Sequence, residues 1–136
     1  MGMPLSSNGA SGSAPRVLVV DDRPDFRHAV RLLLERRGYS VVAEAGCAAS
    51  ALDAVERVAP EAVLLDVRLG YDDGFEVCRR LTRARPGIAV LLTSTTDYDE
   101  SHDRDGLVAS SGARGFVRKS RLLDTDFGRF WPRAEP

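Results

Sequence analysis

Five alternations of a short apolar run with a helix-period segment predict an α/β fold: a doubly wound, five-stranded parallel sheet with helices on both faces. Glu61-Ala-Val-Leu-Leu-Asp66 sets four apolar residues between Pro60 and the Gly70/Asp72/Asp73/Gly74 turn cluster, the pattern of a fully buried strand. Polar residues close the other apolar runs as well. Asp21-Asp22 follow Val17-Leu18-Val19-Val20, Thr93-Ser94 follow Ile88 to Leu92, and Lys119 follows Gly115 to Arg118. The carboxyl ends of the strands are where open α/β sheets hold ligands, so three acids, two hydroxyls and one amine converge on one crevice.

The chain has 136 residues, enough for one domain with a real core and little else. Its 43% hydrophobic and 29% charged content is that of an ordinary globular protein. No run approaches the length of a membrane span, and the N-terminus has no basic-then-apolar signal pattern; the expected location is cytoplasmic, with no membrane partner. A formal charge of −1 gives no global attraction to nucleic acid. Cys47 and Cys78 have no C-x-x-C spacing and are expected to be small buried hydrophobes within helices.

Met1 to Pro15 is rich in Ser, Gly, Ala and Pro and reads as a disordered leader. Arg16 to Val20 is the first strand. Pro24 suits the first position of a helix capped near Asp22 or Arg23, and Phe26, Ala29, Val30, Leu33 and Leu34 form its inner face. Gly38 ends that helix. Ser40 to Ala45 is a second, less apolar strand nearer an edge. A helix from about Ala48 to Ala59 buries Ala48, Leu52, Val55 and Val58 or Ala59, and Pro60 stops it.

After the strand that ends in Asp66, Gly74 opens a helix with Phe75, Cys78, Leu81 and Thr82 inward and Arg79, Arg80, Arg83 and Arg85 outward. That basic stripe suits either an acidic partner or plain solvation. Pro86-Gly87 turns into the fourth strand, Ile88 to Leu92. The polar stretch from Thr95 to Gly112 predicts a mobile loop and then a short helix over about Ser101 to Ser110, with Leu107, Val108 and Ala109 facing the core. His102, alone in that stretch, reads as a surface residue. Arg114 to Arg118 is the fifth strand. In the tail, Gly128 and Pro132 leave room for only a short helix, and Phe127, Phe130 and Trp131 are expected to cover the flank of the sheet.

Asp21, Asp22 and Asp66 close together repel one another unless a cation or protons compensate. Oxygen-only ligands suit a hard divalent ion, Mg²⁺ in particular. Lys119 adds a point charge suited to a phosphoryl oxygen, and Thr93 a hydroxyl donor. Carboxylate, metal, amine and hydroxyl are together the parts needed to take a phosphoryl group onto an aspartate.

Val-Asp-Asp after the first strand, Leu-Asp-Val-x-Leu after the third, Leu-Thr-Ser after the fourth and Lys after the fifth resemble the receiver domain of two-component response regulators. The spacing from Asp22 to Asp66 and the Asp66…Asp73-Gly74 loop agree with it. The resemblance covers about Arg16 to Lys119 and implies a CheY-like (βα)5 fold of the flavodoxin type, strand order 2-1-3-4-5, with a short or irregular fifth helix. It divides the chain into a leader (1–15), a receiver domain (16–131) and a tail (132–136). It implies that Asp66 accepts a phosphoryl group from a sensor histidine kinase or phosphotransfer protein. Mg²⁺ would be held by Asp21, Asp22, Asp66 and the backbone carbonyl of Arg68, and Lys119 would pair with the phosphoryl oxygens. Thr93 and Phe116 would be the switch residues. Phosphorylation would then alter the surface from about Thr95 to Phe116 and its contacts with an unidentified downstream protein, rather than with nucleic acid. The resemblance is to a signalling domain, not an enzyme, capable at most of its own phosphorylation and dephosphorylation.

The chain departs from that pattern in places. Ser120 stands where many receivers have proline joined by a cis bond, Gly70 replaces a loop proline, and the stretch after Thr93 is longer. No output domain follows Lys119, which leads to the expectation of a stand-alone receiver that signals by docking. Two other readings compete: a receiver-like interaction module that is never phosphorylated, and an aspartyl-phosphate hydrolase of the haloacid-dehalogenase type with a first-strand nucleophile. The hydrolase reading is weakened by the lack of residues for a cap domain. A nicotinamide enzyme is disfavoured because no G-x-G-x-x-G follows the first strand.

Overall fold

The structure, a computed structural model, describes residues 14–95 and 106–135. The first strand, β1 (Arg16–Val20), leads into α1 (Pro24–Arg36), β2 (Ser40–Ala45), α2 (Ala48–Val58) and β3 (Ala62–Asp66). Two two-residue strands, β4 (Arg68–Leu69) and β5 (Asp72–Asp73), precede α3 (Gly74–Ala84) and β6 (Ala89–Ser94). A short α4 (Leu107–Ser110), β7 (Gly115–Arg118) and 3₁₀ turns over Lys119–Asp124 and Phe127–Arg129 complete the described chain. Five strands pair in the order β2-β1-β3-β6-β7, all parallel, as the sequence predicts.

The period-2 alternation of each strand sends successive side chains to opposite faces. Leu18, Val20, Val63, Leu65, Val90 and Leu92 face α2 and α3. Val17, Val19, Ala62, Leu64, Ala89 and Leu91 face Val30 and Leu34 of α1 together with Leu122, Phe127 and Trp131 of the tail. The central strands are therefore buried on both sides, which is why their sequences are apolar without a polar alternate.

Several expectations are corrected. The inner face of α2 is Ala48, Ala51, Ala54 and Val55, with Leu52 only half-buried; the alanines let the helix lie close to the sheet and turn Leu52 aside. Ala29 of α1 and Ala109 of α4 are exposed. Val77 joins the buried face of α3, while Thr82 is half-buried and returns its hydroxyl to the Cys78 carbonyl. Cys47 is not a buried hydrophobe but the exposed cap residue of α2, its thiol 3.3 Å from Ser50 Oγ. Cys78 is buried. The fourth strand runs past Leu92 to include Thr93 and Ser94, and the fifth begins at Gly115. Of the helix expected over Ser101 to Ser110, the described part is Leu107–Ser110. His102, the rest of the stretch 96–105 and residues 1–13, on which the expected leader falls, lie outside the described residues. Pro15, placed in that leader, is buried, and its carbonyl accepts from Ser40 N as an extension of the β1–β2 ladder.

In place of a last α-helix the tail forms the two 3₁₀ turns, clamped to the α1–β2 connection. Arg37 donates to the carbonyls of Thr125 (2.7 Å) and Leu123 (2.5 Å). Tyr39 donates its hydroxyl to Pro132 O and meets Trp131 edge-on, ring centroids 5.4 Å apart. Phe127 and Trp131 stack at 5.0 Å and are buried, so the tail aromatics belong to the core. Trp131 and Pro132 line a groove with Glu61, Ile88 and Arg114, residues at the amino ends of β3, β6 and β7. No described helix is long and apolar enough to cross a membrane.

Candidate functional site

Asp21, Asp66, Thr93 and Lys119 all stand at the carboxyl edge of the sheet. Asp66 closes β3 and pairs in register with Thr93 of β6, and the Val67 N–H donates to Thr93 O at 2.9 Å. Asp21 follows β1 and is fully buried, and Asp66 is 6% exposed. Asp22 is exposed, yet one carboxylate oxygen from each of Asp21, Asp22 and Asp66 can lie within 4.8 Å of the others. Lys119 reaches across from the end of β7, its Nζ 2.6 Å from Asp21 Oδ2 and 3.1 Å from Asp66 Oδ2. The Lys119–Ser120 peptide, like every other among the described residues, is trans. All three acids and the amine expected from the sequence therefore meet.

The remaining oxygens are held by backbone. Asp21 Oδ1 accepts from Arg23 N (2.9 Å) and Asp66 Oδ1 from Arg68 N (3.0 Å), each an Asx-type turn at a strand end. Asp73 caps α3 by accepting from Phe75 N, and Asp72 reaches sideways to accept from Ala48 N at the start of α2. These two acids hold the β4–β5 hairpin, where the sequence predicts only a turn. Its Tyr71 projects fully into solvent. Gly74 begins α3 directly against the end of β3, donating its N–H to Val67 O at 2.8 Å.

Three buried polar side-chain atoms lack a hydrogen bond among the described residues: Trp131 Nε1 in the tail and, at this edge, Thr93 Oγ1 and Asp21 Oδ2, whose contact with the ammonium is an ion pair. Such atoms are costly to bury unless something else binds them. An oxygen-only donor set with an under-satisfied carboxylate fits a hard divalent cation such as Mg²⁺. Phe116, on β7 opposite Leu92, is half-buried and packs against the α2–α3 side of the core.

Burial pushes the Asp66 carboxyl up to about 6, with the Asp21 charge adding to the effect; the Arg68 N–H and the Lys119 ammonium pull it back only in part. Because its folded-state value lies above the ordinary 3.8, Asp66 favours the fold when protonated, and that contribution disappears as pH rises through about 6. In metal-free buffer, Asp66→Asn should therefore be more stable than the parent at pH 7.5 by about 1 to 3 kcal/mol, and the difference should close at pH 4. Added Mg²⁺ should close it at pH 7.5 by stabilising the parent. Urea melts with EDTA or Mg²⁺ check this; an equal gap at both pH values would refute the burial argument.

Sequence reasoning missed three contributors. Phe26, expected as a core residue of α1, lays its ring 4.1 Å from Lys119 Nζ. Arg27 donates from Nη1 to the Asp21 carbonyl and from Nε to Glu44. The third is the reach of Asp72 to α2. The first two belong to the turn of α1 that follows Asp21-Asp22, and this proximity to the acids was the available signal.

The family model for the response regulator receiver domain matches residues 17–124. The chain is 32% identical to the response regulator GacA of Pseudomonas aeruginosa over 110 residues, 80% of this chain and 50% of that protein. It is 37% identical to the nitrate/nitrite response regulator protein NarP of Escherichia coli over 105 residues, 76% of this chain and 47% of that one. It thus spans about half the length of these curated relatives. A crystal structure of a LuxR-family two-component response regulator from Aurantimonas sp. superimposes with a TM-score of 0.74 at 32% identity, covering 82% of this chain and 79% of the other.

Proposed function

The chain belongs to the response regulator receiver family of two-component systems, and on that premise we propose that Asp66 accepts a phosphoryl group from a phosphohistidine on a sensor kinase or phosphotransfer protein. The observation that carries this reading is the Lys119 ammonium set between the buried Asp21 and Asp66 carboxylates, with Asp22 alongside. Residues 16–131 make up the receiver domain and 132–136 its tail.

In the reaction, an Asp66 carboxylate oxygen forms a bond to phosphorus while the phosphorus–nitrogen bond to the donor imidazole breaks; the leaving imidazole keeps the electron pair and takes a proton from solvent. Lys119 turns from the carboxylates to the phosphoryl oxygens and offsets the charge they carry. Asp21, Asp22, Asp66 and the Arg68 carbonyl would hold Mg²⁺, which supplies further charge compensation and orients the phosphoryl group. Thr93 Oγ1, buried without a partner among the described residues, is free to donate to a new phosphoryl oxygen on Asp66, its register partner on the neighbouring strand. Its movement toward the site would make room for Phe116 and alter the surface between Thr95 and Phe116, which an acceptor protein reads.

Incubation of the full chain with acetyl phosphate and Mg²⁺, followed by intact mass, tests the reading. One phosphoryl group should be gained, and none by Asp66→Asn or in EDTA. Label that survives Asp66→Asn but disappears in Asp22→Asn would replace this reading with a first-strand nucleophile.

A further inference from the structure

Lys119 is the only lysine in the chain; the other 18 of its 19 basic residues are arginines. Among the described residues, its ammonium touches three groups. Two are the carboxylates of Asp21 and Asp66, and the third is the face of the Phe26 ring, 4.1 Å from Nζ to the centroid. We propose that Phe26 is a positioning residue for phosphoryl uptake: its ring holds the Lys119 ammonium in place between Asp21 and Asp66. The proposal rests on the phosphoacceptor reading above.

A lysine side chain has four flexible bonds, and confining it costs up to about 2 kcal/mol of rotamer entropy. In the resting site the two carboxylates hold it by charge. That hold weakens once the same carboxylates engage a cation and Asp66 carries a phosphoryl group. The ring does not take part in those exchanges. Its negative face attracts the ammonium throughout, most strongly where water is excluded, and the Lys119 side chain is only 12% exposed. An ammonium has three donors. With water kept from the side covered by the ring, the ammonium stays beside the acids and the incoming oxygens.

The ring is itself fixed from two directions. Pro24 opens α1, and Phe26 packs in its first turn against the core beneath that helix. The next residue, Arg27, ties this turn to the site by donating to the Asp21 carbonyl at 2.5 Å and to Glu44 at 3.0 Å. Arg31 donates to the other Glu44 oxygen at 2.9 Å, so the carboxylate that anchors Arg27 is held at both ends. The start of α1 therefore positions two parts of one site: Arg27 the backbone of Asp21, and Phe26 the amine that pairs with its side chain. A plain core role for Phe26 requires an apolar side chain but not a π face, and this difference can be measured.

The test compares wild-type chain with Phe26→Leu, Phe26→Tyr and Phe26→Trp. Initial rates of phosphorylation by acetyl phosphate at saturating Mg²⁺ should fall about three- to thirtyfold for Leu and stay within about twofold for Tyr and Trp. Phe26→Met, which also lacks a π face, replaces the Leu variant if that one melts early. Lysine-selective carbon-13 labelling gives a single ε-methylene signal, from Lys119. It should carry an upfield ring-current shift in wild type, Tyr and Trp forms without any phosphodonor, and lose it in Leu. A Leu variant labelled at the wild-type rate, or a wild-type signal without that shift, overturns the proposal. Failure of wild type itself to be labelled would instead overturn the phosphoacceptor reading, while the ε-methylene signal still decides whether the ring holds the amine.

Discussion

Gly74→Ala should destabilise the protein by about 3 kcal/mol or more, lowering its melting temperature by roughly 10 °C. A Cβ at this position would overlap the Asp66 carbonyl oxygen and approach Val67 Cα and its carbonyl carbon to 2.5 and 2.8 Å. These are all backbone atoms of the strand end that bears Asp66, so no flexible side chain can yield. The helix must back away from the strand, and the Gly74 N–H to Val67 O bond of 2.8 Å stretches with it. A second consequence separates this substitution from a generic loss of packing. Displacement of the β3 end moves Asp66, the proposed phosphoacceptor, and about 1 Å of misplacement can cost a hundredfold in rate. Labelling by acetyl phosphate should therefore be slowed even at a temperature where the variant is fully folded. A variant that melts within 2 °C of the parent would show that α3 and β3 do not meet in this way.

Lys119→Met should reduce the labelling rate by about a hundredfold or more, the scale seen when one preorganised stabiliser of developing charge is removed. It should also destabilise the metal-free protein by about 3 kcal/mol near neutral pH, because two buried carboxylates lose their counter-charge. The sign of the pH effect follows. The Lys119 ammonium pulls the raised Asp66 carboxyl back down, so without it Asp66 is easier to protonate in the folded state and the variant should regain stability relative to the parent as pH falls toward 4. Mg²⁺ should restore stability at neutral pH but not the labelling rate. Recovery of both would assign the amine a structural role alone.

Much of this site is legible in the sequence, and the reason is specific. Asp21, Asp66, Thr93 and Lys119 each end an apolar run, and in a parallel sheet all run-ends share one edge. Run-ends are a one-dimensional signal. What could not be read depends on the third dimension or on very short elements. The β4–β5 hairpin has two residues per strand, too few for any periodicity, and Asp72 gives no hint in sequence that it bonds Ala48 N across 24 residues. Cys47 looked like a helix residue because capping by a thiol and Ser50 lacks the usual Ser/Thr/Asp/Asn signature. Hydrophobicity favours Leu52 over Ala51 and Ala54, whereas the buried face of α2 is made of small residues. Phe26 was correctly placed on the inner face of α1, but the ring is at the end of that face where the core meets Lys119, and helical periodicity says nothing about ends.

The clamp on the tail has a practical use. Pro15 joins the amino end of β2, and Trp131 and Pro132 line the groove at the amino ends of β3, β6 and β7, so both described ends of the chain emerge on the side opposite Asp66. Five strand residues, roughly 15 Å, separate the two edges. A fluorophore or an affinity handle carried beside Pro15 or Pro132 should thus leave the acidic crevice unobstructed. Attachment at Pro132 would place a tether on the side away from that crevice.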